Sequence, residues 1–446
     1  MDELLVDARS GVLTSLEPHI RSDMPTGWVG WSARVADTRN FGGSGSLFRA
    51  DPYGFGASIR DDAAARGAAT GEAVERYCGN VVPEDLIRSS ASALELAGSR
   101  VVDPAKFALY SEDQYRLPGF PFVPFTSALE IRWALGHTMD EKVPTYVPAA
   151  LTYLGYYTGT RRGEPPIASL QYAGIAAGRS RDEAEMSALL ELLERDATAL
   201  WWCGDRSQPA IELADWERLP AHRQLGDLES QTRSVRVLLL PSPFGIPVAA
   251  VWIRDDRRGL VALGTACRPT VEAAVSKALV EAYAVLAITI DLADPDGPTW
   301  RSVADGTLPA HLYKPFRADR RYRDEFDAQW KDVVDLPTVA QLYLDPVMAH
   351  LAEEHLFDYT ETRSVSEVPD EDPVNLASLV ALLTSRGYQP ISVDLTTRDI
   401  SIAGLHVVRV LSPGLYNNAP AAFPLLGGSR VTSASTTHLH LPVPLA

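Results

Sequence analysis

Cysteine is scarce in this chain: only Cys78, Cys203 and Cys267 occur in 446 residues, widely spaced and without a CxxC pair. That excludes a disulfide framework or a cysteine-based zinc module and leads us to expect a reducing, cytoplasmic setting. Lysine is nearly missing too, occurring only at Lys106, Lys142, Lys277, Lys314 and Lys331, so the basic charge is almost all arginine. Positive charge as a whole is in deficit. The 41 Lys and Arg against 58 Asp and Glu leave a net charge of −17, which argues against a nucleic-acid or anionic-membrane partner. No apolar run approaches the ~18 residues a membrane helix needs. The acidic start, Met1-Asp2-Glu3-Leu4-Leu5, lacks the basic and apolar regions of a signal peptide. There is no Walker A motif, and neither Gly54-Phe-Gly56 nor the glycines at 42–45 have the strand–turn–helix setting of a dinucleotide site. No Ser/His/Asp set stands out. His438-x-His440 reads as alternate residues exposed on a terminal strand, and Trp201-Trp202 as core.

What is present is a doubled motif. Glu-x-x-Glu-Arg occurs as Glu72-Ala-Val-Glu75-Arg76 and again as Glu191-Leu-Leu-Glu194-Arg195, and two chance copies are expected in on the order of one chain in a hundred. Spacings of three and four put the three side chains on one helical face. Like charges so placed repel, so a partly buried face of this kind needs cations opposite it. Four such carboxylates suit a hard dication such as Mg²⁺, which takes oxygen ligands and is shared with nucleotide phosphates. The two arginine forks suit phosphate oxygens. The pattern outlines an ATP site without a Walker motif.

The surrounding chain alternates strand and helix without a linker-like break, which predicts one α/β domain. We expect helices over 62–78, with Asp61 as N-cap, over 181–202, opened by a capping box at Ser180-Arg-Asp-Glu183, and from Pro269-Thr270 to about 290. Residues 118–160 read as β-rich, and strands are expected at 235–240, 246–253, 391–395 and 406–411. Two further helices and an acidic loop from Glu361 to Asp372 fall within 300–375, and another helix over 376–386.

Three segments resemble the YcaO family. They are Ala65-Arg-Gly-Ala-Ala-Thr-Gly-Glu72-Ala-Val-Glu-Arg-Tyr77; Gly174-Ile-Ala-Ala-Gly178-Arg-Ser-Arg-Asp-Glu183-Ala with the second Glu-x-x-Glu-Arg; and Gly264 with Ala274-Val-Ser-Lys277-Ala-Leu-Val-Glu281-Ala. The late Val407-Val-Arg409-Val-Leu-Ser-Pro413-Gly414 and the tail Pro442-Val-Pro444-Leu-Ala446 are similar to the family's closing strand and terminal P-x-P-x-P. The resemblance implies a single YcaO-type domain of mixed sheets packed with helices, with an ATP cleft lined by acidic helices. We divide the chain into an N-terminal segment 1–50, a catalytic domain 51–440 and a proline-containing tail 441–446.

By position, the resemblance makes Glu72, Glu75, Glu191 and Glu194 the Mg²⁺–triphosphate ligands. Arg76 and Arg195 become phosphate contacts, Glu183 a nucleoside contact, and Lys277 and Glu281 neighbours of the γ-phosphate. The Ala446 carboxylate would position substrate or take a proton. The chain departs from the pattern at Ala68 (family Ser), Arg179 (Asn), Lys277 (Arg) and Ala446 (Pro). The implied activity is ATP-dependent cyclodehydration of Cys, Ser or Thr in a ribosomal precursor peptide to thiazoline or oxazoline. Alternatives within the resemblance are thioamide or macrolactamidine formation, or a catalytically silent scaffold. Only about 50 residues precede the first block, too few for a fused E1-like module, so a separate E1-like leader-peptide-binding partner is expected on a homodimeric core.

Overall fold

A computed structural model describes residues 2–36, 53–203, 208–226, 232–358, 360–368, 374–431 and 441–444. His438 and His440, the glycines at 42–45, and Ala446 lie outside them. Three sheets organise the described residues. The first is antiparallel, in the order β1 (Leu13–His19), β2 (Trp28–Val35), β3 (Tyr53–Ile59). The second has the order β4 (Ile87–Ser89), β5 (Ile131–Thr138), β13 (Ile391–Asp394), β14 (His406–Leu411), β7 (Ile175–Gly178), with β6 (Pro144–Pro148) also paired to β5. The third runs β11 (Leu260–Cys267), β10 (Val248–Asp255), β9 (Arg233–Leu239), β8 (Ala210–Leu213), β12 (Thr360–Arg363), in which only the β8–β12 pair is parallel.

The three long helices form where the sequence predicts them, over Asp62–Asn80, Arg181–Cys203 and Val271–Ala293. Asp61 caps the first, its carboxylate accepting from Ala64 N at 2.9 Å, and Thr270 caps the third through Ala273 N at 3.2 Å. The expected capping box of the second is shifted. Ser180 Oγ accepts from Glu183 N at 3.1 Å, but the Glu183 carboxylate takes the N–H of Arg179 at 3.0 Å, one residue further out.

Glycine decides one close packing. A Cβ on Gly264 of β11 would stand 2.2 Å from Ala282 N and 2.3 Å from Ala278 O, so only glycine lets the Val271–Ala293 helix settle onto that strand. This helix also corrects an expectation, because it is long and apolar enough to cross a membrane by length and composition. It is a core helix packed on β10 and β11, and most of its positions are buried. In 300–375, α-helix occurs at Pro298–Ala304, Leu336–Leu342 and Pro346–Phe357, more segments than expected, and part of the acidic loop is strand β12. Trp201 and Trp202 are core residues, each 3% exposed.

Candidate active site

The two Glu-x-x-Glu-Arg copies face one cleft of about 1280 Å³. The Asp62–Asn80 helix contributes Glu72, Glu75 and Arg76, the Arg181–Cys203 helix Glu183, Glu191, Glu194 and Arg195, and the Val271–Ala293 helix Lys277 and Glu281. Nine of the ten residues expected in the site therefore share a single cavity. The tenth, Ala446, lies outside the described residues. Residues 441–444 leading to it do not line the cleft. They dock through main-chain carbonyls, Leu441 O accepting from Trp202 Nε1 at 2.6 Å and Pro442 O from the Tyr343 hydroxyl.

Each of the four glutamates accepts a backbone N–H from outside its own helix. Glu72 Oε2 takes Phe55 N at 2.8 Å, Glu75 Oε1 takes Ala177 N at 2.8 Å, Glu191 Oε2 takes Gly174 N at 3.0 Å, and Glu194 Oε2 takes Cys267 N at 3.2 Å. Glu194 also accepts from the Thr265 hydroxyl at 2.7 Å. Gly174 can present its N–H because it stands at φ 91°, where a side chain would be strained and a Cβ would meet Val410 O at 2.6 Å.

The arginines balance this charge. Arg76 bonds Glu72 at 2.8 Å and lies 4.6 Å from the Tyr172 ring centre. Arg195 stands 3.3 Å from Glu194 and 3.8 Å from Glu191, and its buried Nε has no hydrogen-bond partner among the described residues. Burial pushes Glu75 up to about 8 against the pull of Arg76, and raises Glu191 against Arg195. Burial would raise Glu281 as well. Lys277, with which it is ion-paired, then Arg195 and Arg268 outweigh that and hold its carboxyl below the usual range.

Among the described residues, no three Asp, Glu, His or Cys side chains come together closely enough to hold a metal ion. The carboxylates therefore do not meet as one cluster; each is turned to an N–H or a guanidinium.

The sequence pattern of the YcaO cyclodehydratase family, described as ATP- and Mg²⁺-binding, matches residues 56–416. The chain belongs to the YcaO family. No curated protein sequence matches it. Among solved structures, a heterocyclase in complex with substrate and cofactor is 20% identical with a TM-score of 0.66, over 93% of this chain and 52% of that one. This chain thus spans about half the length of that relative. YcaO from Methanopyrus kandleri, bound with AMPPCP and Mg²⁺, is 19% identical at a TM-score of 0.56, covering 92% and 89% of the two chains. A chain of the E. coli microcin synthetase McbBCD complex is 12% identical at 0.55, covering 99% and 98%. These likenesses establish the shared α/β fold.

The residues fit the YcaO cofactors. Mg²⁺ is commonly held by one or two carboxylates plus phosphate oxygens rather than by an all-protein cage. Separate carboxylates along one cleft, together with an Arg195 fork whose Nε lacks a partner among the described residues, match that demand better than a closed cluster would. Several cleft residues escape sequence reasoning. Arg268 and Tyr172 belong to neither motif copy, and the Asn418 Oδ1 atom is buried without a partner among the described residues.

Proposed function

We propose that this chain is an ATP-dependent cyclodehydratase that converts Cys, Ser or Thr of a ribosomal precursor peptide to thiazoline or oxazoline. The observation carrying this reading is the convergence of both Glu-x-x-Glu-Arg copies and the Lys277–Glu281 pair on one cleft. When bound, ATP with Mg²⁺ supplies the phosphoryl group that turns a poorly leaving amide oxygen into phosphate. Glu72, Glu75, Glu191 and Glu194 hold the cation. Arg76 and Arg195 meet phosphate oxygens, and Lys277 stands for the γ-phosphate end as a point charge without a bidentate fork. The small face of the Asp62–Asn80 helix, with Ala64, Gly67 and Ala68 in the cleft, leaves room for the nucleoside beside Arg179 and Glu183. The Ala446 carboxylate is assigned to substrate positioning or to the nucleophile's proton. The leader peptide is read by a separate E1-like partner on a homodimeric core, in the cytoplasm.

The test is mass analysis of a candidate precursor after incubation with this protein, its partner, Mg²⁺ and ATP. Loss of one water per site, with a fragmentation gap at Cys, Ser or Thr, is expected. Exchange of oxygen for sulfur would reassign the enzyme to thioamide formation. Water loss that consumes an amine would reassign it to amidine closure, and an unchanged peptide with no ATP consumed would make it a scaffold.

A further inference from the structure

The cleft, at about 1280 Å³, exceeds the ~300–1,000 Å³ that encloses one small-molecule ligand, and its chemistry changes along its length. Beside Val285, Ala287 and Leu292, the Val271–Ala293 helix lines the cleft with Lys277, Glu281, Ala284, Ile288 and Asp291. At spacings of three and four they mark one face, which passes from an ion pair to alkyl surface over ~20 Å.

The apolar end is built by three elements. Phe55 and His19 line it with rings edge to face at 5.4 Å, and Trp28 stacks behind Phe55 at 6.0 Å. The loop bearing Leu308, Leu312 and Tyr313 is fixed at the same end, because Trp300, whose ring lies 5.9 Å from Tyr313, donates to Leu292 O at 2.9 Å. Charge here is neutralised internally. Asp291 is paired with Arg21 at 2.8 Å, and Arg21 also holds Asp23 at 2.8 Å. Burial, with Arg21 beside it, keeps His19 below its ordinary pKa. This end therefore offers a triphosphate no free cation among the residues named, and offers an alkyl or aromatic group an apolar wall.

We propose that this arm is the subsite for the substrate peptide and takes an uncharged, apolar side chain next to the residue being modified. The inference rests on the peptide-substrate reading above and adds its specificity. An acidic side chain is excluded, because burying a carboxylate against Ile288, Leu312 and Phe55 without a partner is unfavourable.

Ile288 is 43% exposed, so Ile288→Glu should fold, which thermal melting checks. Two cysteine-containing synthetic peptides serve as probes, one with Leu and Phe flanking the cysteine and a twin with Asp in both places. Crosslinking is read from benzoylphenylalanine introduced at position 288, and nucleotide affinity from Mg²⁺–AMPPCP titration. The apolar peptide should crosslink at least about tenfold more than its twin, with saturating Mg²⁺–AMPPCP present, and Ile288→Glu should leave nucleotide affinity within about twofold of wild type. Equal crosslinking of the two peptides would overturn the proposal. So would protection by AMPPCP, or loss of nucleotide affinity in Ile288→Glu, since either would place the base in this arm. Failure of the wild type to bind Mg²⁺–AMPPCP would strike the ATP-dependent reading instead, leaving the peptide comparison to decide the subsite alone.

Discussion

Glu75→Gln is expected to stabilise the cofactor-free protein while disabling it. Burial raises the Glu75 carboxyl from 4.5 to about 8, so the folded chain keeps a proton there that the unfolded chain has released. Stability from this group is therefore lost as pH rises from about 4.5 to about 8, and the loss is level above that. At ~1.4 kcal/mol per tenfold change, the full displacement corresponds to at most ~5 kcal/mol. Glu75 lies in a cleft wall that water reaches, so we expect ~2 kcal/mol, a few degrees in Tm. Glutamine keeps the oxygen that accepts from Ala177 N, so the backbone tie survives. Melting curves in chelator should show the variant equal to wild type near pH 4.5, with the gap widening to about pH 8 and then constant. Mg²⁺–AMPPCP should protect wild type far more than the variant. At pH 7, calorimetry in buffers of different ionisation heat should find more proton released on binding to wild type than to the variant. A variant less stable than wild type at pH 8, or a pH-independent gap, would refute burial as the source of the shift.

Glu72→Gln should abolish ATP-dependent turnover yet cost no more than ~0.5 kcal/mol by melting, since it loses only a part-buried i,i+4 pair with Arg76 and glutamine keeps an oxygen for it and for Phe55 N; near-normal turnover would remove Glu72 from the site. A Cβ on Gly67 would meet nothing within 4 Å, so Gly67→Ala should stabilise its helix by ~0.5–1 kcal/mol. Gly67→Trp should weaken Mg²⁺–AMPPCP binding severely, and unchanged affinity in titration would move the nucleoside elsewhere. Deleting 441–446 leaves the buried donors of Trp202 and Tyr343 without Leu441 O and Pro442 O, a cost of ~2–4 kcal/mol in denaturant unfolding. If the tail also serves the reaction, azoline formation at saturating ATP will fall well beyond what the unfolded fraction explains, with nucleotide affinity unchanged.

Much of the site was legible because its signal is carried by side chains on helices. The doubled Glu-x-x-Glu-Arg and the Asp61 cap are local patterns, and they sit on the helices that the spacing predicts. The other half of the site is backbone. The N–H groups of Phe55, Ala177 and Cys267 have no signature in residue type, Gly174 shows only as a glycine, and tertiary placement alone brings all four to the carboxylates. β11 escaped notice because it is buried at every position and so lacks alternation. β12 was hidden in an acidic stretch, since its parallel pairing with β8 depends on a partner some 150 residues earlier. The capping at Glu183 missed by one residue because a long side chain can reach either of two adjacent N–H groups.

The four N–H ties also give the protein native probes. Phe55 belongs to the first sheet, Ala177 and neighbouring Gly174 to the second, and Cys267 to the third, yet each amide hydrogen ends on a cleft carboxylate. Anything that draws those oxygens toward a cation weakens their hold on the amides, and the change is registered in all three sheets. Amide hydrogen exchange at these four positions therefore reports, without labels or substitutions, which carboxylates a ligand engages and in what order they let go.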